Sequence, residues 1–474
     1  MNDVWRAARR ILAVRLDAAG DVLMTGPALR ALKESAPGRH VTLLTSPAGA
    51  AAARLMPEVD DVIEYVAPWM KPAAGDDPAE HLAMIERLRA EAFDAAVIFT
   101  VYSQNPLPAA LMTQLAGIPL RLAHCRENPY GLLTNWVREP EPDDLLRHEV
   151  RRQLDLVASV GARPSSERLA VRVPEAAKQR MQALIANVDR ARPWVVMHVG
   201  ASAESRRYPR FAEVARTLHE FHGWQLIFTG GPGERDLIDC VRDTSGVPSH
   251  SLAGDLDLGE LAALLAEAPL LISNNTGPAH LAAAVATPVV DLYALTNPQH
   301  APWMVPHRLL FNAVACAPCY RSVCPEGHHA CLAAVTPEDV VRAALSVASD
   351  GCAEGSGVPR ALLLRTGDAS GDAYSLDTAA HDLLQAARDR GFVTEVVPGA
   401  GLGATLEATE RLGVGPEACL AIECTADGVR AARAAGVRQV VGVGPASAQA
   451  ALLEAGADEV VDGLGRLLLL TPDR

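Results

Sequence analysis

From Ile11 onward, short apolar runs alternate with stretches in which apolar residues recur every three or four positions. ILAVRL is followed by a helical pattern from about Val22 to Ser35, then by VTLLT, VIEYV and DAAVIFT. Short aliphatic and β-branched runs read as strands, and the 3.6-residue spacing between them reads as helices. Strands joined by helices pair in parallel, are covered on both faces and build a doubly wound sheet. The rhythm breaks in EPEPDDLLRHEVRRQLDLVASVGARPSSERLAVRVPEAA, so a link between two halves is expected near Arg163 to Glu175. A second series starts at WVVMHVG and continues through a helix from about Arg210 to His222, QLIFTGG, PLLISN and TPVVDLY. The small-residue stretch CAEGSGVP precedes another apolar run, ALLLR, and predicts a linker at about Ser349 to Pro359. The expectation is an α/β chain of three domains at residues 1–170, 171–350 and 356–474, the first two Rossmann-like.

Composition narrows the function classes. With 474 residues, 49% hydrophobic and 21% charged, the chain can build such cores. Its net charge of -14 and pI near 5.5 argue against nucleic acid as a partner, because phosphate-backbone binding rests on Lys and Arg. No apolar run reaches the roughly 20 residues of a spanning helix. The start, MNDVWRAARRILAVRLD, passes an acidic residue and runs into a strand, so a cytoplasmic protein is expected.

Four loops carry candidate chemistry. In ILAVRLDAAGDVLMTGPALRAL, Gly20 permits a tight turn and Asp21 opens a helix at the carboxyl end of a buried strand, where open α/β sheets bind ligands. Asp21 there is either a general base for an attacking hydroxyl or a helix cap. In HVGASAESRRYPRF, Gly200 and Ser202 precede Arg206 and Arg207, a set suited to a diphosphate. In FTGGPGERD, Glu234 could accept hydrogen bonds from a ribose or serve as an N-terminal helix carboxylate. ISNNTGPAHLAAAVATPVV gathers Asn275, Thr276, Gly277 and His280 in one turn that offers free N–H groups to an anion. A buried core histidine is the other reading of His280.

These strings, in this order, resemble the ADP-heptose:lipopolysaccharide heptosyltransferases, family 9 of the glycosyltransferases, and span most of Met1 to Ser349. The resemblance implies a GT-B fold and an inverting transfer that needs no cofactor. An acceptor-binding N-terminal half and a nucleotide-sugar half would meet across a cleft. It implies Asp21 as base, with Gly20, Asp17 and His148 on the acceptor side. Gly200, Ser202, Arg206, Glu234, Asn275, Thr276, Gly277 and His280 would hold the donor. ADP-heptose is the implied donor and a glycan or lipid-linked core the implied acceptor, with peripheral contact at the inner face of a membrane. Two departures bear on the sugar: Asn275 stands where the family commonly has Asp, and Asp17 where it usually has Ser or Thr. They also motivate a rival reading as a nucleotide-sugar-binding regulator without catalysis.

Nine cysteines include the cluster CAPCYRSVCPEGHHACL, in which Cys316, Cys319, Cys324 and Cys331 follow a Cys-x2-Cys-x4-Cys-x6-Cys spacing. Four thiolates could enclose a structural Zn or a cluster; free thiols or two local disulfides are the alternative. Related family members share a similar loop. Past Ser349, RLGVGPEACLAIECTADGVRAARAAGVRQVVGVG resembles the last part of a haloacid-dehalogenase-type (HAD-like) phosphatase domain. The resemblance would require an Asp-x-Asp nucleophile in ALLLRTGDASGD, a Lys in VVPGAGLGATLEATERLG and an acidic pair where Glu423 and Cys424 stand. Nucleophile, cation and half the metal pair are missing, so a degenerate module is expected, with a phosphatase or bifunctional enzyme as the alternative.

Overall fold

The computed structural model describes residues 3–70, 77–142, 147–201, 203–294, 299–312, 314–316, 319, 321, 323–352, 361–366, 378–389, 393–398, 402–412, 416, 419–437 and 439–464. It divides into two compact units, Met1–Gly351 and Cys352–Arg474.

The first unit holds two six-stranded parallel sheets. One contains β1 (Arg10–Arg15), β2 (His40–Thr45), β3 (Asp61–Glu64), β4 (Ala95–Ile98), β5 (Leu120–Cys125) and β6 (Asn135–Arg138), in the order β3-β2-β1-β4-β5-β6. The other contains β7 (Trp194–His198), β8 (Gln225–Thr229), β9 (His250–Ser251), β10 (Leu271–Asn274), β11 (Val289–Leu292) and β12 (His307–Leu310), in the order β12-β11-β10-β7-β8-β9. Counted within each sheet, both orders read 3-2-1-4-5-6, that of the dinucleotide-binding fold. The crevice where strand order reverses lies between β1 and β4 in one half and between β7 and β10 in the other.

Central strands are apolar because helices cover both faces: Ile11, Leu12, Ala13 and Val14 of β1 are buried, as are Leu271 and Ile272 of β10. The inner strand β5 and the edge strands β6, β9 and β12 escaped the sequence reading, since LRLAHC, NWVR, HS and HRLL mix polar and apolar positions. The two halves share one core cluster, to which Leu23 and Val150 contribute from the first and Ala279, Leu281 and Trp303 from the second.

Two predicted boundaries change. The single helix expected over Val22–Ser35 is two helices, Ala19–Met24 and Gly26–Glu34, joined at Thr25. Pro27 explains the break, because it lacks an N–H and its ring clashes with the carbonyl four residues back. The linker expected from Ser349 begins later: the Pro337–Cys352 helix runs through Ser349, carried by the buried Val340, Val341, Ala344 and Val347. Residues 353–360 lie outside those described. No helix of the described residues is long and apolar enough to cross a membrane.

The second unit has five parallel strands: β13 (Ala361–Thr366), β14 (Val393–Pro398), β15 (Cys419–Glu423), β16 (Gln439–Val443) and β17 (Glu459–Val461), ordered β14-β13-β15-β16-β17. This 2-1-3-4-5 order belongs to the doubly wound class as well.

Candidate active site

The acceptor half presents its first loop at the carboxyl end of β1. The Ala19–Met24 helix starts after Ala18, which makes no side-chain cap bond, and Asp21 lies inside its first turn. Asp21 is therefore not the helix cap. Its carboxylate is tied to Arg15, a fully buried guanidinium that contacts three acids: Nε reaches Asp17 Oδ2 at 2.9 Å, Nη2 reaches Asp21 Oδ1 at 3.2 Å and Nη1 reaches Glu149 Oε1 at 2.8 Å. Burial pushes the Glu149 carboxyl up, but Arg15, Arg152 and His300 outweigh it and bring it down to about 2. Burial pushes the Asp17 carboxyl up from its ordinary range, opposed by Arg15. Gln104 Nε2 also donates to Asp17 Oδ1 at 2.6 Å, so this half-buried side chain is held on two sides.

In the donor half, the turn after β10 opens the Gly277–Ala284 helix, with Thr276 as an extended N-cap that makes no side-chain cap bond. This helix packs on Ala19–Met24 of the other half with almost no clearance. A Cβ on Gly20 would lie 2.8 Å from His280 Cδ2 and 3.4 Å from Gly277 Cα. Gly20 is thus needed for close approach of the two halves, and it brings Asp21 to the donor turn. His280 is buried, and burial pushes its ring down to about 3, so it is neutral at physiological pH. Its Nδ1 has no hydrogen-bond partner among the described residues, which sets it apart from a satisfied core histidine.

Asn274, which the sequence reading passed over, staples two donor loops together. Its Nδ2 donates to the carbonyls of Val199 and Gly200 at 3.0 and 3.1 Å, and its Oδ1 accepts from Tyr208 N–H at 2.8 Å. Beyond Gly200, a short turn over Glu204–Arg206 leaves Arg206 half-buried, with its Nε unpartnered among the described residues. Ser202 lies outside the described residues. Glu234 accepts from Gly231 N–H at 2.8 Å and stands 4.0 Å from His198 Nε2. As Glu234 is oriented, a Cβ on Gly200 would overlap its carboxylate, so the two lie in direct contact.

A segment after β11 completes the site. His300 Nε2 stands 3.9 Å from Asp21 Oδ1. Its neighbour Gln299 accepts from Glu149 N–H at 3.0 Å, and His148 Nε2 donates to the Ala301 carbonyl at 2.9 Å. His148 also caps its own helix by accepting from Val150 N–H, and its ring lies 4.4 Å from that of Trp303. It is a buried stitch between the halves, at the start of a helix of the N-terminal half. Arg15 had a signal in the sequence, a cation inside an apolar strand; His300 had none.

The cysteine loop lies against the donor half. Cys316, Cys319, Cys324 and Cys331 line one pocket with His328, Ser205 and Ala294. All four thiols are free, so the local disulfides are absent. Among the described residues, no group of three or more His, Cys, Asp or Glu side chains is arranged to hold a metal ion. Backbone N–H groups, that of His329 first, hold the Cys324 thiol below its ordinary range.

In the second unit, Glu423 is buried and pairs with Arg365 Nε at 2.6 Å; Arg365 also donates to Thr405 Oγ1 at 2.9 Å. A guanidinium thus occupies the carboxylate that a metal-dependent phosphatase would need, and the phosphatase alternative is not favoured.

A model of glycosyltransferase family 9 (heptosyltransferase) matches residues 81–330. Lipopolysaccharide heptosyltransferase 3 of Escherichia coli is 25% identical over 287 residues, 59% of this chain and 81% of that protein. Lipopolysaccharide heptosyltransferase 2 of E. coli K12 is 24% identical over 351 residues, 70% and 96% of the two chains. Among solved structures, the family 9 glycosyl transferase from Veillonella parvula superposes with a TM-score of 0.60 at 20% identity, covering 72% of this chain and 97% of that one. The E. coli ADP-heptose heptosyltransferase II superposes with a TM-score of 0.58 at 22% identity, covering 73% and 100%. With the paired Rossmann-like sheets of the GT-B fold and a family match over more than half its length, this chain belongs to glycosyltransferase family 9.

Proposed function

We propose that this glycosyltransferase moves heptose from ADP-heptose to a hydroxyl of a lipopolysaccharide core acceptor, with inversion at the anomeric carbon and Asp21 as general base. The observation that carries the reading is the packing of Gly20 on Gly277 and His280. It brings Asp21, tied to Arg15, up to a turn with free N–H groups. The acceptor oxygen attacks the anomeric carbon while its proton passes to Asp21, and the bond from that carbon to the diphosphate breaks on the opposite face. The departing charge falls to the amides of Thr276 and Gly277 and to Arg206, whose unpartnered Nε suits a phosphate oxygen. Glu234, beside Gly200, is the partner for the ribose. The donor is tested by thermal shift over a panel of nucleotide sugars. ADP-heptose at 100 times its dissociation constant is expected to stabilise the fold by about 2.7 kcal/mol. A larger shift with another nucleotide sugar would replace it.

Three further readings accompany this one. The four cysteines would supply the ligands of one structural Zn(II) or a cluster, with Cys316 Sγ 3.9 Å from His328 Nε2. Zinc near one equivalent in protein purified under reducing conditions is expected, and metal-free protein of unchanged thermal midpoint would overturn it. Residues 1–170, 171–350 and 356–474 form acceptor, donor and degenerate HAD-like domains. Mg-dependent phosphate release from a phosphomonoester by the full chain would sink the last assignment. A lipid-linked acceptor would bring the chain to a membrane surface, and co-sedimentation with vesicles carrying that acceptor is the check.

A further inference from the structure

The strand behind the donor turn carries a group that the transfer reading does not use. Asp291, within β11, is fully buried. Its Oδ2 accepts a hydrogen bond from Asn275 Nδ2 at 2.6 Å, and its Oδ1 has no partner among the described residues. Its register neighbours, Ser273 on β10 and Leu309 on β12, bring no charge to it. Burial pushes the carboxyl up to about 8 against the opposing Asn275 amide, so it holds a proton at neutral pH.

The Asn275 amide also donates to the His300 carbonyl at 2.7 Å. A carbonyl only accepts, so the NH2 group is committed inward and the carboxamide oxygen is what remains for the turn. His300 in turn stands beside Asp21, on a segment fastened to the acceptor half by Glu149 N–H and, through Gln299 Nε2, by Glu141 Oε2 at 2.9 Å. A path of hydrogen bonds thus leads from the buried carboxyl through the donor turn to the neighbour of the base.

We propose that Asp291 and Asn275 form one positioning unit, in which the buried carboxyl orients the Asn275 carboxamide so that it holds His300 beside Asp21 and keeps the donor turn free of negative charge. The unit rests on the reading of this turn as the diphosphate site. Neither side chain touches a reacting atom. An ionised Asp291 behind the turn would oppose the diphosphate, and buried like charges are poorly screened.

The test is the affinity of the full chain for ADP between pH 7 and 9.5, measured by titration calorimetry on wild type, Asp291→Asn and Asn275→Asp. Wild-type affinity is expected to fall about tenfold across this range, the equivalent of about one pKa unit of coupling. Asp291→Asn, neutral and of the same shape, is expected to fall less than about threefold. Asn275→Asp, with two carboxyl groups sharing one proton, is expected to bind ADP more weakly already at pH 7. A flat wild-type profile, or an Asp291→Asn profile that follows wild type, overturns the proposal. Should Asn275→Asp fail to fold, the other two proteins decide. Loss of turnover in an Asp21→Asn variant tests the base separately, since ADP affinity does not depend on it.

Discussion

Replacing Asp21 by Asn is expected to reduce heptosyl transfer by about 10²- to 10⁴-fold, the usual contribution of a positioned general base. The amide has the shape of the carboxylate but cannot take the acceptor proton. Arg15 would keep Asp17 and Glu149, so the buried cation stays compensated and the fold should survive. The donor loops lie on the other half, so the dissociation constant for ADP should stay within about threefold of wild type, a difference below 1.4 kcal/mol. Paired measurements of turnover and ADP affinity check this. A variant retaining more than about a tenth of wild-type turnover would remove Asp21 from the mechanism.

The second large effect is on stability. Arg15→Met is expected to cost about 3–5 kcal/mol of unfolding free energy, because it removes the ion-pair partner of the buried Glu149 and leaves its charge in the interior offset only by Arg152 and His300. The effect should depend on pH. The Glu149 carboxyl is held down to about 2 from an ordinary 4.5, so its contribution in wild type is complete above about pH 4.5 and is lost as pH falls towards 2. Asp17, pushed up by burial, acts in the opposite direction, its cost being relieved on acidification. The gap between wild type and Arg15→Met should therefore narrow as the solution is made acid. Denaturant titrations at pH 7 and pH 3.5 read this; an equal gap at both would show that Arg15 acts through packing alone.

Some of this site was legible in the residues. Gly20, Asp21, Gly200, Glu234 and the Asn275–Gly277 turn all follow apolar strands at their carboxyl ends, and all but Glu234, which follows β8, lie at the crevice where strand order reverses. The apolar runs of β1, β7, β10 and β11 were readable because parallel strands buried on both faces must be continuous in hydrophobicity. The edge strands β6, β9 and β12 were not, since half-exposed strands mix polar and apolar residues.

What the string of residues could not contain is which groups meet across a long separation. Arg15 and Glu149 are 134 positions apart, and His148 and Ala301 are 153 apart, yet each pair is in hydrogen-bond contact. That His148 stitches the halves together, and that Asp17 is held by Arg15 and Gln104, could not be read from the string. Asp291 and His300 drew no notice at all. By itself the sequence determined the strand–helix alternation, the turns that end at the cleft and the family, because these depend on local periodicity and short motifs. Only the tertiary structure decided that Gly20 backs onto His280 and that Arg15 gathers three acids, because those facts follow from how two separately folded sheets pack against each other.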